Sequence, residues 1–421
     1  MKGAWQTVTS RREFLARGTL SLAAGATLSV GLDPALASGP ADWQAVRGLF
    51  DVPGDYTLLQ NATATIPFAA ALEASAQAFR LSHDPRLPYG DLLAQVEAVR
   101  SSVARSIGAN PESVAIMRNT TEAMRTVQFG LDLAPGDEVL AISVDYDLLV
   151  WRQSLERQGV RLRVFDLPVP APGTEEIIAL YEAQMTSATR YMLISEVVSS
   201  SGQALPVAAI CAAARSRGIL TLVDGAQGYA LSGAGVAAMG CDFYAASLHK
   251  WLGGARGMGF LYIRPELIER VWPLLGNYRD TADEGAIGRA NIRKFEQIGT
   301  IPIALWAAQQ AVFPFLEAIP PARRRARLQQ LRDRLMDGLV DVPAVRFLHG
   351  RGEATMGIGS VAIAGADHRK VVNALREQRI IVKALNEGNV SCIRVSPSIY
   401  TRESEVDRLI ETLPRVLRAL Q

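Results

Sequence analysis

Short apolar runs alternate with segments of helical period along most of the chain. Five runs predict strands: Val139–Ser143, Tyr191–Ser195, Ile219–Val223, Phe243–Ser247 and Met258–Ile263. Between them, apolar positions recur at helical spacing. In Leu92–Ile107 the residues Leu92, Val96, Val99, Val103 and Ile107 fall on one stripe. Val207–Arg217 predicts a second helix, and the Gly218 that follows suits the left-handed turn that closes helices. Strands alternating with helices predict an α/β domain with a largely parallel sheet.

Past Ile301 the pattern changes. A long helical stretch, strongly basic over Arg323–Arg327, leads into a β-α-β-α series. Its parts are Ser360–Ala364, His368–Gln378, Ile380–Lys383, Cys392–Ser396 and Glu403–Leu417. This predicts a second, smaller domain of about a hundred residues. The mature chain divides on this reading into an N-terminal segment (38–60), a large domain (61–310) and a small C-terminal α/β domain (311–421). The basic run reads as a solvated helix face.

Of the 421 residues, 49% are apolar and 20% charged, enough for a large core and unlike a disordered or collagen-like chain. The net charge of +2 argues against binding nucleic acid by phosphate neutralisation. Cys211, Cys241 and Cys392 are too few for a disulfide scaffold. His83, His249, His349 and His368 never fall at metal-ligand spacing, so no metal site is expected.

Residues 1–37 have the form of an export signal. Ser10-Arg11-Arg12-Glu13-Phe14-Leu15 is a twin-arginine pattern, Gly18–Leu32 is apolar and uncharged, and Ala35-Leu36-Ala37 has the small-x-small form of a cleavage site. The apolar run is shorter than the roughly 20 residues a membrane span needs. The expectation is a mature protein beginning near Ser38, carried by the twin-arginine export machinery and periplasmic or exported, with no membrane anchor after cleavage.

Candidate chemistry gathers around two segments. Leu222-Val223-Asp224-Gly225-Ala226-Gln227 places a carboxylate at the end of an apolar strand. Such a residue projects at the C-terminal edge of the sheet, where open α/β sheets bind ligands. Ser247-Leu248-His249-Lys250-Trp251-Leu252-Gly253-Gly254 places a lysine just past another strand. Lysine and carboxylate together suit pyridoxal 5'-phosphate. The amine forms a Schiff base with the cofactor aldehyde, and the carboxylate keeps the pyridine nitrogen protonated. Arg118-Asn119-Thr120-Thr121-Glu122-Ala123 follows the strand-like Ser113–Met117 and opens a helix. Hydroxyls and free N–H groups there make a phosphate cradle. In isolation these segments would be a surface lysine in a turn and an ordinary helix cap; their order along one chain is what points to a site. Arg394, on the apolar run Ser391–Pro397, suits a substrate carboxylate because its planar fork makes two parallel hydrogen bonds.

From about Leu58 to Leu417 these motifs resemble the class V aminotransferase group of fold-type I pyridoxal-phosphate enzymes. That group includes cysteine desulfurases, kynureninase and isopenicillin N epimerase-like proteins. The resemblance implies that Lys250 carries the cofactor and moves the Cα proton, and that Asp224 pairs with the pyridinium nitrogen. It implies that Gln227 bonds the ring hydroxyl and that Thr120, Thr121, Ser247 and His249 hold the phosphate. Thr300, in Phe295-Glu296-Gln297-Ile298-Gly299-Thr300, would reach the phosphate of a partner subunit, which makes the protein a homodimer with the site at its interface. Tyr146 would lie against the cofactor face, with core packing of that ring as the alternative. Asn61 resembles a residue of the N-terminal segment that lines the substrate pocket.

Within this group the substrate is an amino acid, and transamination, epimerisation and β-elimination all begin with loss of the Cα proton. The segment from Ile380 to Arg394 looks closest to the isopenicillin N epimerase-like branch. A cysteine desulfurase-like C–S lyase needs a nucleophilic cysteine on a loop before the final arginine strand, and Lys383–Val390 holds none. Cys392 faces the same side of its strand as Arg394, and Cys211 and Cys241 read as core. A non-catalytic cofactor-binding protein is the remaining alternative, against which stands the presence of both Lys250 and Asp224.

Overall fold

The computed structural model describes residues 42–86, 89–146, 148–276, 287–352 and 355–420; the export segment at 1–37 lies outside them. After the short strand β1 (Thr57–Leu58) come the seven strands of the main sheet. These are β2 (Val114–Met117), β3 (Glu138–Ile142), β4 (Arg161–Phe165), β5 (Thr189–Ser195), β6 (Leu220–Asp224), β7 (Phe243–Ser247) and β8 (Gly259–Ile263). Their order is β2-β8-β7-β6-β5-β3-β4. Only β8 runs against the others, pairing antiparallel with β7 and β2. The expected parallel α/β architecture is therefore present.

The strands read as continuous apolar runs because both faces of the sheet are covered. Leu140, Ile142, Met192, Ile194, Tyr244 and Ala246 enter one core, and the residues between them enter the other. The stripe of the Tyr89–Ser106 helix, with Leu92, Val96, Val99 and Val103, packs into the first core. Met124, Val127, Trp151 and Leu155 fill the second. Burying each such aliphatic side chain stabilises the fold by roughly 1.5–3 kcal/mol. The edge strand β4 was not expected from the sequence. Its alternation of Arg161, Leu162, Arg163 and Val164 reflects an edge position with half-exposed residues.

The C-terminal part builds a second sheet. β9 (Val345–Phe347), β10 (Gly359–Ile363), β12 (Lys383–Glu387) and β13 (Val390–Val395) pair antiparallel in the order β12-β13-β10-β9. Between β10 and β12, β11 (Ile380–Ile381) leaves this sheet and pairs parallel with β1. The run Ile380–Lys383 is thus two strands. Leu59 also packs in the small-domain core, so the segment before residue 61 belongs partly with the C-terminal domain. The Pro321–Leu339 helix contributes to both cores. Phe313, Phe315 and Leu328 pack in the large core, whereas Leu331, Leu335 and Leu339 pack in the small one. No described helix is long and apolar enough to cross a membrane.

The basic run 323–327 is not a solvated face. Arg324 is fully buried and donates to the carbonyls of Ile319 (2.7 Å), Phe315 (2.8 Å) and Trp251 (3.2 Å). Arg327 is buried against Thr401 O and Glu403, each at 3.0 Å. The reason is a demand for donors. Where the Phe313–Ala318 helix ends, the Ile319 N–H closes back on Phe315 O, and the guanidinium adds donors to the Phe315 and Ile319 carbonyls. Through Trp251 the same arginine steadies the turn that carries Lys250.

Candidate active site

Asp224 ends β6, opposite Ser195 in the register with β5. The Ala226 N–H donates to its Oδ1 at 2.8 Å. Burial pushes its pKa up, and the positive charge of Lys250 opposes this. A buried carboxylate so lightly hydrogen-bonded is suited to a cationic partner. Two further carboxylates stand beside it that sequence reasoning passed over. Asp145, just past β3, accepts from Ser195 Oγ (2.6 Å) and Ile142 N (2.9 Å). Glu196, just past β5, accepts from the Tyr244 hydroxyl (2.8 Å), while its Oε1 is buried without a partner. Gly228 makes room for it, since a Cβ there would lie 2.0 Å from the carboxylate. Burial first, and then the charge of Asp224, push both groups up to about 7. An acidic residue immediately after an apolar strand, the signal that marked Asp224, marks these two as well.

The residues expected to cradle the phosphate come together where β7 meets the Thr120–Gly130 helix. Thr120 N donates to Ser247 Oγ at 2.8 Å, and the two hydroxyls lie 2.6 Å apart. Asn119 caps the helix by accepting from Glu122 N, and Glu122 returns to accept from Arg118 N at 2.6 Å. Gly259 admits this turn: a Cβ there would come within 2.9 Å of Asn119. Thr121 lies in the first turn, half-buried. His249 is half-buried, its Nδ1 has no partner, and burial with the nearby Lys250 charge pulls its pKa down to about 4. It is therefore a neutral ring with an unused nitrogen.

Lys250 is half-buried in the turn after β7. Burial pulls its pKa down to about 8; Asp224 resists, and Arg394 and Lys383 pull it further. A substantial fraction of the amine is neutral near physiological pH, as a nucleophile or base requires. Gln227 is buried behind it. Its oxygen accepts from Trp251 Nε1 and one of its N–H groups donates to Ala62 O, both at 3.0 Å. One N–H is left for a ligand.

Arg394 comes from the small domain, opposite Lys383 on β12 and Ser360 on β10. It is 4% exposed and donates to Thr63 Oγ1 (2.7 Å) and Ser199 O (3.2 Å). Its Nε is buried without a partner, and no ion pair to it occurs among the described residues. This is a buried cation prepared for an anion. The structure corrects the reading of Asn61. Its amide nitrogen donates to Leu58 O and Ser396 O, both at 3.0 Å, and its oxygen accepts from the Tyr400 hydroxyl at 2.6 Å. Asn61 ties the N-terminal segment to the small domain, and the neighbouring Thr63 is the residue that meets Arg394. Both carry polar side chains in one short turn, and only the fold separates them.

Tyr146 stands at the carboxyl end of β3 and is 58% exposed, so it is not a core residue. Thr300 is exposed and makes no contact with this site that the structure records. All three cysteines are free and buried. Burial pushes Cys392 up to about 12 and Cys211 up to about 11, and raises Cys241 as well. None is a reactive thiolate.

An unused imidazole nitrogen, a hydroxyl-lined helix start, a lysine of lowered pKa and a facing buried carboxylate fit pyridoxal phosphate at each of its functional groups. The fold and site are those of a fold-type I pyridoxal-phosphate enzyme. The profile of the family described as Aminotransferase class-V matches residues 62–409, and the chain belongs to that family. It is 32% identical over 394 residues to isopenicillin N epimerase of Streptomyces clavuligerus, which covers 89% of this chain and 98% of the epimerase. It is 34% identical over 344 residues to a probable cysteine desulfurase of Pseudomonas aeruginosa, covering 77% of this chain and 83% of that one. Among solved structures, the cysteine desulfurase CsdA from Escherichia coli matches with a TM-score of 0.80 at 25% identity, over 91% of this chain and 100% of that chain.

Proposed function

We propose that this enzyme epimerises an amino acid at Cα. The observation that carries the reading is the set of groups around Lys250: a lysine whose proton is easily moved, a buried cation for the substrate carboxylate, and no reactive thiol. When bound, pyridoxal phosphate supplies an electron sink that stabilises negative charge at Cα. The chain's own residues do the rest. Thr120, Thr121, Ser247 and His249 hold the phosphate, Asp224 faces the ring nitrogen, and Gln227 offers its remaining N–H to the ring hydroxyl. Arg394 and Thr63 seat the carboxylate. Lys250 takes the proton from one face of Cα, and the phenol of Tyr146 returns one to the other. The 32% identity to isopenicillin N epimerase along nearly its whole length supports this reading.

The test is turnover of a single amino-acid enantiomer in heavy water. The expected product is the opposite enantiomer with deuterium at Cα. Accumulation of a keto acid would overturn the reading in favour of transamination, and release of ammonia with loss of a side-chain group would favour elimination.

The active form is a homodimer, with Thr300 reaching the phosphate bound to the partner subunit. In support, Thr300 is exposed at the end of a segment pinned through Glu296 to Arg100 (2.8 Å) and Ile116 N (2.6 Å). Thr300→Val should weaken cofactor retention in a species that sediments as a dimer. A fully loaded monomer would refute this. The chain is exported by the twin-arginine route, so periplasmic protein should begin near Ser38; soluble cytoplasmic protein that keeps Met1 would refute that.

A further inference from the structure

Charge is ordered along the inner face of the β12–β13 hairpin. Strand alternation puts Lys383, Leu385 and Glu387 on one face, and their partners across the ladder are Arg394, Cys392 and Val390. These six are buried or half-buried, whereas Asn386 and Ser391 on the opposite face are exposed. One end of the face carries two cations, the middle is apolar, and the far end carries a carboxylate. Lys383 and Glu387 are roughly 13 Å apart along the strand.

The charges of this face act on the reacting lysine. The charge of Glu387 is felt at Lys250, Lys383 and Arg394. Ser199 touches both ends: its carbonyl accepts from Arg394 (3.2 Å) and its hydroxyl donates to Glu387 Oε2 (3.1 Å). The other oxygen of Glu387 has no hydrogen-bond partner among the described residues, and no described cation pairs with it. The hairpin tip is held in place. Gly388 adopts φ +52° against Ser143, where a Cβ would come within 2.5 Å of the carbonyl. Asn389 donates to Leu167 O at 3.4 Å. Glu387 therefore sits at a defined position and not on a free loop.

We propose that Glu387 reads the substrate side chain, and that the preferred substrates are amino acids with an apolar stem ending in a cation, of the lysine, ornithine or arginine type. This rests on the reading of Arg394 as the carboxylate anchor in an amino-acid enzyme. A substrate anchored there begins at the cationic end of the face. Its side chain, extending past Ser199, meets Glu387 at the other end. A terminal ammonium or guanidinium gains a charge-assisted hydrogen bond at that point. A terminal carboxylate meets like charge instead.

The test is a titration of the loaded enzyme with lysine, norleucine and 2-aminoadipate, followed by the visible absorbance of the cofactor. Lysine is expected to half-saturate at a concentration roughly tenfold lower than norleucine, and 2-aminoadipate at a higher one than either. In Glu387→Gln, lysine should fall to the level of norleucine while norleucine stays unchanged. Equal weakening of all three in that variant would make Glu387 a mere counter-charge for Arg394 and overturn the proposal. A wild-type preference for norleucine or 2-aminoadipate would overturn it too. These outcomes leave the amino-acid reading intact. A wild-type spectrum that answers to none of the three would instead defeat that reading and this proposal together.

Discussion

The carboxyl edge of the main sheet and the β12–β13 hairpin face one another across the site, and they are built differently. On the edge, functional groups follow directly after parallel strands, and most are held by close partners. Asp224 is held by the Ala226 N–H, Asp145 by Ser195, Glu196 by Tyr244 and Ser247 by Thr120. On the hairpin, groups alternate along antiparallel strands and keep unused capacity. Arg394 Nε is unpartnered, Lys383 makes no ion pair among the described residues, and Glu387 has one partner. Both regions keep unused capacity, His249 Nδ1 and Glu196 Oε1 on the edge and Arg394 Nε on the hairpin, but the hairpin's open groups are charged and lie on one alternating face. Changes of substrate within this fold are therefore expected on the hairpin.

The comparison breaks if the two regions respond alike to mutation. Lys250→Ala should have the largest effect, abolishing covalent cofactor retention and lowering turnover by roughly a thousandfold or more. Asp224→Asn should come next, keeping the cofactor but losing about a hundredfold in kcat, read by steady-state kinetics on protein of matched absorbance. Arg394→Ala should leave cofactor loading untouched and raise substrate KM by roughly tenfold. A loss of cofactor in that variant would erase the distinction between the two regions.

A pH experiment sharpens the edge side. Burial sets the Lys250 pKa at about 8, and only the neutral amine can bond the cofactor. Loading of the apoenzyme should therefore quicken as pH rises toward about 8 and level off above it, followed by visible absorbance. A rate still climbing about tenfold per unit at pH 9 would indicate an ordinary lysine. The smallest effect is expected from Asn61→Ala. It should cost about 1–3 kcal/mol of stability in denaturant unfolding, because the buried Tyr400 hydroxyl loses its acceptor. Its substrate KM should not move.

Much of the large domain was legible in the sequence. Val139–Ser143, Tyr191–Ser195 and Phe243–Ser247 fall on β3, β5 and β7 within two residues, because apolar runs buried on both faces leave an unbroken signal. Edge strand β4 carried a weaker one, since half-exposed positions admit arginine. Asp145 and Glu196 carried the same local signal as Asp224, but their proximity to it depends on the order of strands.

By itself the sequence determined the α/β class, the strands of the sheet other than β4, and the placement of Asp224 and Lys250 at its carboxyl edge. These follow from local rules of periodicity and of where a chain emerges from a strand. The tertiary structure alone decided that Arg324 is buried among carbonyls, that Thr63 and not Asn61 meets Arg394, and that Glu387 shares a face with Lys383. The physical reason is separation along the chain. The partners of Arg394 at Ser199 and Thr63 lie 195 and 331 residues away, and which polar side chain is used up and which is left open is settled only when those distant segments pack together.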